Sequence, residues 1–286
     1  MREWHLKYRK LKNIVFHMSL VFAACAVIIP LFMVIQYVMI KGFNSLNWDF
    51  FTQIPKPVGE VGGGMKHAII GTFIIVGLAG SFAIPLGIIC GAYLSEYGRG
   101  KIAALLRLST DVLTGIPSIV IGIFAYLLVV VPLKQFSTLA GALALSIIIL
   151  PVVIRSTEEI LKLVPRHIRE AGLALGLPRW KMIFFIVIKG SRSGLITGVI
   201  LAISRAAGET APLLFTSFGN MYYSTSLTNP IASLPVQIYT YAISPFDDWQ
   251  RQAWAGALVL IILVLGLNLI SRLIMNRQQL GFGRRK

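Results

Sequence analysis

The length of the apolar segments constrains this sequence most, because several exceed the roughly 18–20 residues needed to cross a bilayer core. The first segment runs from Ile14 to Ile40 without a single Asp, Glu, Lys or Arg. Hydrophobic residues make up 56% of the 286 and charged residues 13%, whereas soluble domains are about one quarter charged. These segments predict an all-α, polytopic membrane protein.

Six transmembrane helices are expected, one for each apolar segment. The Gly-rich second segment favours close helix packing in lipid, and Gly115 and Pro117 predict a kink in the third. The predicted organisation is a transmembrane domain at 14–275 between a cytoplasmic tail at 1–13 and a basic tail at 276–286. The expected helices cover residues 14–40, 67–95, 103–131, 138–163, 183–214 and 252–275.

Positive charge is unevenly distributed between the two sides of the predicted bundle. Of the 27 Lys and Arg residues, 18 lie in the terminal regions and in the loops after the second and fourth helices, and 5 lie on the opposite side. The positive-inside rule then places both termini in the cytoplasm. The net charge of +16 is interpreted as a topology signal that also favours anionic membrane lipid, so no nucleic-acid partner is expected.

Two long segments on the outer side, 41–66 and about 215–251, mix aromatic residues with Pro, Gly and polar residues. One interpretation is an aromatic belt at the membrane surface. The other is a docking surface for an external protein, and the sequence alone leaves both open. The aromatic residues concerned are Trp48, Tyr222, Tyr223 and Trp249.

The longest cytoplasmic connection predicts a short amphipathic helix at about 165–179. Pro165 can begin a helix, and Gly176 followed by Pro178 is typical of a helix end. Small and apolar residues recur between these positions at helical spacing. Such a helix either rests on lipid headgroups or contacts a cytoplasmic partner.

Two groups of charged residues lie within the predicted spans. Arg155 and Glu158 are three positions apart in the fourth, and Arg205 and Glu209 are four apart in the fifth, so each pair shares a helix face. Buried charge in a membrane is costly and indicates function by default. Arg also binds tetrahedral oxyanions bidentately, so these residues, with the Thr210 hydroxyl, predict a pathway for an anion.

A structural interpretation of the same charges stays open. Arg205 and Glu209 could form a static ion pair that joins helices, and Arg155 and Glu158 could be solvated near the inner interface. Pro212 disfavours helical backbone at the preceding residue, so the fifth helix is expected to loosen after Glu209.

The cytoplasmic helix resembles the permease loop of ATP-binding-cassette importers, whose pattern is Glu-Ala-Ala, three residues, then Gly. In that family this helix docks in a groove on an ATPase subunit and transmits its closure. The resemblance implies that role here for Arg169, Glu170, Ala171, Gly172 and Gly176.

The resemblance also implies what this chain lacks. It contains no G-x-x-x-x-G-K-[ST] phosphate loop, so ATP and Mg are expected on a separate ATPase subunit and no cofactor, metal or catalytic residue on this one. Cys25 and Cys90 lie in apolar runs and predict packing residues. One departure is Ile188-Lys189, where the family pattern has Leu-Pro.

The segment from about 66 to 275 resembles the A-type permease subunits of phosphate-specific importers, most specifically in "AGETAPLLFT". The resemblance implies import of inorganic phosphate across a bacterial inner membrane and functional roles for Arg155, Glu158 and Arg205. It further implies a C-type permease partner, two ATPase subunits and an extracytoplasmic phosphate-binding protein.

Three alternatives remain from the sequence. The cargo could be another oxyanion, sulfate or molybdate, carried by the same class of permease. The chain could instead be an ion-coupled secondary transporter or channel that uses the Arg–Glu pairs as relays. It could also be a membrane scaffold for phosphate sensing that transports nothing.

Overall fold

Helices occupy the predicted apolar segments in the computed structural model, which describes residues 2–57 and 60–283. These described residues form no β-strand. In chain order the helices are α1 (Arg2–Phe43), α2 (Trp48–Thr52), α3 (Lys66–Glu96), α4 (Lys101–Gly115), α5 (Ser118–Leu133), α6 (Thr138–Lys162), α7 (Arg166–Ala174), α8 (Arg179–Ile188), α9 (Arg192–Ala207), α10 (Ala211–Leu214), α11 (Leu234–Ala242) and α12 (Asp247–Gly283).

Within the described ranges, α1, α3, α6 and α12 are each long and apolar enough to cross a membrane. Two further spans are formed by bent helix pairs, α4 with α5 at 104° and α8 with α9 at 74°. The chain is therefore a multi-pass membrane protein with the six predicted spans, of which the third and fifth are each built from two helices.

The bend in the third span lies where the sequence predicts it. Helix α4 ends at Gly115, and Ile116 is extended, with φ −72° and ψ 131°. Pro117 then precedes α5 and has no N–H to continue the ladder. Proline also disfavours helical backbone at the residue before it, which explains why the break falls at Ile116.

The fifth span, predicted as one helix over 183–214, is broken twice. The first break is at Ser191, after a π-helical stretch at Met182–Ile188. The second covers 208–210, between α9 and α10. The backbone therefore loosens from Gly208 rather than after Glu209, and Pro212 lies in the first turn of α10, where its missing N–H costs no helical bond.

Close contacts at glycine hold the bundle together. A Cβ placed on Gly91 of α3 would lie 2.6 Å from the Cβ of Thr157 and 2.7 Å from the carbonyl oxygen of Ile154 in α6. Gly122 of α5 approaches Pro212 of α10 equally closely. The Gly91 contact confirms the predicted role of small residues in the second span, and the Gly122 contact holds the backbone that follows the 208–210 break.

The second outer segment packs into the bundle rather than lying across its surface. The N–H of Leu234 donates to the Thr72 hydroxyl of α3 over 2.7 Å, and Tyr241 stacks on Trp249 with ring centroids 4.5 Å apart. Tyr222 and Trp48 are exposed. The predicted aromatic set thus divides into a packed part and an exposed part.

Helix α1 begins at Arg2, before the predicted start at 14, and contacts α12 near its outer end. There Gly42 lies against Leu258, and the ring of Tyr37 meets that of Trp254 at 5.1 Å. The apolar side chains of α1 from 14 to 34 are exposed. This helix therefore presents a long apolar surface to lipid or to another subunit.

Candidate functional site

The depth of Arg205 in the bundle follows from the packing of α9 on α6. Gly194 lies against Ile160 and Gly198 lies against Ser156, so the two helices run antiparallel. Arg205 is seven residues beyond Gly198, about 10 Å further toward the Thr138 end of α6 at 1.5 Å per residue. Its backbone therefore lies near the middle of α6, at about mid-membrane height.

The Arg205 side chain is poorly paired for that position. It is 53% exposed, and its Nε lies 4.0 Å from Oε1 of Glu209, which is itself mostly buried. Among the described residues the Arg205 side chain makes no hydrogen bond. Since a charged side chain facing lipid at this depth is costly, this guanidinium must face water, an anion or another subunit.

The break at 208–210 places two polar residues directly after the helix that carries this guanidinium. Glu209 and Thr210 lie on non-helical backbone between α9 and α10. The carbonyl of Thr210 accepts the N–H groups of Leu213 and Leu214, while its side chain makes no capping hydrogen bond. Irregular backbone at membrane depth is tolerated where it lines a cavity, which fits a position on a polar path.

Arg155 lies among three carboxylates, further than Arg205 toward the Lys162 end of α6. Its guanidinium is 3.2 Å from Asp111 of α4, 3.7 Å from Glu159 and 3.8 Å from Glu158, and the side chain is 46% exposed. The Arg155–Glu158 pairing expected from their spacing is thus present but long. Asp111 is the shortest partner and comes from another span, so helical spacing could not reveal it.

The closest partners of Glu158 do not include Arg155, with which its i,i+3 spacing pairs it. Its side chain is 1% exposed, and Oε1 accepts from Arg107 Nε at 2.8 Å and from Lys162 Nζ at 2.6 Å. Arg107 also donates to the carbonyls of Leu94 and Gly98 at the end of α3. Glu158 is therefore the buried centre of an ion-pair network that joins α4 and α6.

The predicted amphipathic helix is present as α7, on the connection between the fourth and fifth spans. Glu170 and Ala171 are exposed, whereas Gly172 is buried against α8. A Cβ on Gly172 would lie 2.7 Å from Ile186 Cδ1 and 3.1 Å from Met182 Cγ, which explains a small residue there. Gly176, with φ +81°, follows the helix in a conformation that side chains rarely adopt.

Arg169 points into the molecule rather than outward. Its guanidinium pairs with Glu96 at the end of α3, where the two side chains are 17% and 7% exposed. Of the residues predicted to contact an ATPase, Glu170 and Ala171 are thus exposed to a partner. Gly172 allows the close packing of α7 on α8, and Gly176 allows the chain to turn after α7. Arg107, Asp111, Lys162 and Glu96 complete the charged clusters. Of these, Lys162 is signalled by its i,i+4 spacing from Glu158, and the other three come from different helices and carry no local signal.

Apolar spans, a half-exposed guanidinium near their middle and an exposed amphipathic helix between the fourth and fifth spans are together typical of a transporter permease. A model of the binding-protein-dependent transport system inner membrane component matches residues 83–281. Because this match covers more than half of the chain, the protein belongs to that family.

Curated relatives extend the similarity to nearly the whole chain. The phosphate transport system permease protein PstA of Yersinia pestis is 44% identical over 276 residues, which is 95% of this chain and 92% of that protein. The protein of the same name from Haemophilus influenzae is 46% identical over 82% of this chain and 83% of its own length. That from Mycobacterium leprae is 40% identical over 92% and 88%.

Among solved structures, the fold resembles an inward-facing conformation of the MetNI methionine ABC transporter. The TM-score is 0.57 with 15% sequence identity, and the match covers 73% of this chain and 92% of that one. A second crystal form gives a TM-score of 0.56. At this identity the likeness concerns the fold alone, and it confirms the predicted ABC importer permease architecture.

Proposed function

We propose that this chain is a permease subunit of an ATP-driven importer of inorganic phosphate and forms half of its translocation path. The observation that carries the proposal is the half-exposed, loosely paired guanidinium of Arg205 at mid-membrane height. The substrate follows from the relatives named phosphate transport permeases, which are 40–46% identical over most of their length and of this chain.

The chemistry of Arg205 suits transient binding of a tetrahedral oxyanion. A guanidinium presents a planar fork to two oxygens and stays charged at every physiological pH. At 4.0 Å its contact with Glu209 is weak enough for an incoming phosphate to replace. Conduction needs binding that is favourable enough to enter and weak enough to leave, so a loosely held guanidinium serves better than a rigid cage.

Arg155 provides a second contact nearer the cytoplasm in this proposal. Its half-exposed guanidinium has Asp111 as the nearest of three carboxylates, none closer than 3.2 Å. Glu158, pinned by Arg107 and Lys162, holds the acidic surroundings in place rather than touching phosphate. Phosphate would thus pass from Arg205 to Arg155. After it leaves Arg205, the Glu209 carboxylate would again be the partner of that guanidinium.

The remaining subunits follow from the exposed surfaces and from the family. A second, C-type permease would cover the exposed apolar faces of α1, α4 and α5, two ATPase subunits would bind at Glu170 and Ala171, and an extracytoplasmic protein would deliver phosphate. ATP and Mg would be held by the ATPases, so this chain would have no catalytic residue. Both termini would lie in the cytoplasm of a bacterial inner membrane, with the permease domain at 14–275 between them.

The proposal is tested by reconstituting the complete importer in liposomes and measuring uptake of radiolabelled phosphate. We expect uptake that requires ATP and the phosphate-binding protein and that excess sulfate or molybdate leaves unchanged. Uptake of sulfate or molybdate in place of phosphate would identify a permease for another oxyanion. Uptake driven by an ion gradient without the ATPase would identify a secondary transporter.

A further inference from the structure

Arg169 and Glu96 form the most completely bonded buried ion pair in the described part of the chain. Arg169 Nε donates to Glu96 Oε2 at 3.0 Å, and Nη2 donates to Oε1 at 2.7 Å. Both side chains are largely buried. This two-pronged geometry fixes orientation as well as distance, and it ties α7 to the last residue of α3, 73 positions away.

The same guanidinium also reaches the end of α6. Its Nη2 donates to the carbonyl of Leu161 at 2.7 Å, and its Nη1 donates to the carbonyl of Val164. One side chain thus joins three elements, and its donors point to acceptors on two spans. A lysine cannot reproduce this arrangement, because its ammonium is a compact point charge rather than a planar fork.

The end of α3 is held by a second arginine from another span. Arg107 of α4 donates to the carbonyls of Leu94 at 3.0 Å and Gly98 at 3.2 Å, and also to Glu158. A Cβ on Gly98 would lie 1.9 Å from the Leu94 oxygen and 2.5 Å from Arg107 Nη2. Hydrogen bonds therefore connect Arg169 to the end of α3, and the end of α3 through Arg107 to Glu158. Glu158 in turn lies 3.8 Å from Arg155.

Helix α7 has two attachments with different physical characters. Gly172 packs on the flexible side chains of Met182 and Ile186 in α8 by van der Waals contact. Arg169 instead makes directional, charge-assisted bonds to α3 and α6. Since a buried ion pair contributes little net stability once desolvation is counted, its directional rigidity is the property that distinguishes it from apolar packing.

We propose that Arg169 and Glu96 are positioning residues that pass the displacement of α7 to α3 and α6, and through Arg107 to the Glu158–Arg155 cluster. They touch neither phosphate nor ATP. The clamp converts movement of the ATPase-facing helix into movement of the spans that carry Arg155. This inference rests on the proposed function, because it presumes that an ATPase subunit moves α7.

The test compares Arg169→Glu, Glu96→Arg and the charge-swapped double variant in the complete reconstituted importer. Phosphate transported per ATP hydrolysed is the readout, with co-purification of the ATPase measured in parallel. We expect each single variant to lower that ratio about tenfold, within the range usual for coupling between sites. The double variant restores opposite charges but leaves the Leu161 and Val164 carbonyls without the Arg169 donors, so it should recover part of the loss. Recovery of this kind is the signature of a direct interaction.

Two further variants control for charge and for folding. Lys101→Glu reverses an exposed cytoplasmic charge that forms no ion pair with a described residue, and it should leave the ratio at the parental value. Glu96→Gln removes the charge of Glu96 with the smallest change in side-chain shape. If the charge-reversal variants fail to assemble, this variant alone tests whether the ion pair is needed for coupling. It should keep the ATPase bound and lower the ratio several-fold.

The proposed coupling role of the Arg169–Glu96 pair is refuted if the Glu96→Gln complex assembles and transports as much phosphate per ATP hydrolysed as the parent complex. It is equally refuted if the double variant assembles and recovers nothing. Failure of the proposed function is distinguishable, since the parental complex would then show no ATP-dependent phosphate uptake before any variant is made.

Discussion

A guanidinium at mid-membrane height needs water, an anion or an opposite charge beside it, because burying it uncompensated costs a few kcal/mol even on insertion scales. Two arginines of this chain, Arg205 at that height and Arg169 at the end of the bundle, are compensated in opposite ways. Arg169 is saturated by Glu96 and two carbonyls. Arg205 stands 4.0 Å from one carboxylate with no hydrogen bond to a described residue. The first arrangement holds elements together, and the second leaves the charge free for a mobile partner.

Replacing Arg205 with Gln should lower ATP-driven phosphate uptake at least about tenfold, since a charge-assisted hydrogen bond contributes about 1.5–3 kcal/mol. The complex should still assemble, because Arg205 holds no other described residue firmly. Arg251→Gln is the matched control, as its pair with Asp248 at 3.4 Å is exposed. Radiolabelled uptake into proteoliposomes measures both variants. Equal uptake by parent and Arg205→Gln would remove Arg205 from the path.

Replacing Glu158 with Gln should destabilise the protein, while Glu159→Gln should not. Removing the charge of Glu158 leaves Arg107 and Lys162 without their shared carboxylate, and because these two side chains are 31% and 52% exposed, water offsets part of the loss and a cost of about 1–3 kcal/mol is expected. Glu159 is exposed and 3.7 Å from Arg155, where a pair contributes about 0–1 kcal/mol. Thermal unfolding of the purified complex measures the difference. Identical midpoints for the two variants would contradict the central role of Glu158.

At this scale the sequence predicts which charged residues share a helix face, but not which residues of other helices they contact. The i,i+3 and i,i+4 spacings identify Arg155–Glu158 and Arg205–Glu209 as neighbours, and both contacts exist at 3.8 and 4.0 Å. The shorter bonds of Arg155 and Glu158 go to Asp111 and Arg107 on α4. Such partners depend on how spans pack, and no local pattern encodes them.

The positions of the helices can be predicted from the length and hydropathy of the apolar segments and from the prolines. The bends within the spans can be predicted only in part. Pro117 marks the break in the third span, and the model places it there. The 74° bend of the fifth span lies at Ser191 after a π-helical stretch with no proline. That bend depends on the packing of α8 against α7 and α3, so the sequence, read locally, predicts one continuous helix.

Replacing Gly91 with Ala should separate α3 from α6 and lower stability by about 1–3 kcal/mol, the usual cost of overpacking. The added Cβ would lie 2.6 Å from Thr157 Cβ and 2.7 Å from the Ile154 oxygen, and backbone cannot yield as a side chain can. Gly77→Ala is the control on the same helix, since nothing lies within 4 Å of its Cβ. It should be neutral or stabilise by about 0.5–1 kcal/mol, because Ala favours helix. Thermal unfolding midpoints in detergent decide between these outcomes.

At the scale of the whole molecule, the charged residues are distributed in three layers along the bundle. Arg205 lies at mid-height, the Arg155–Glu158 cluster lies nearer the Lys162 end of α6, and the Arg169–Glu96 pair joins α7 to the spans at that same end. Helix α7 is exposed beyond this last layer, with Glu170 and Ala171 outward. Force from a partner bound at α7 would therefore reach Arg155 before Arg205.

Replacing Glu170 with Lys should weaken ATPase binding without unfolding the permease. Glu170 is exposed, and the model gives it no ion pair within the described ranges. Its substitution therefore removes nothing from this chain's own packing and reverses the charge that α7 presents to the cytoplasm. Lower co-purification of the ATPase is expected, together with a parental melting temperature for the permease pair. Glu60→Lys makes the same change on an exposed residue of the outer segment and should leave co-purification unchanged. If Glu170→Lys retains the ATPase as well as Glu60→Lys does, the docking face lies elsewhere on the cytoplasmic side.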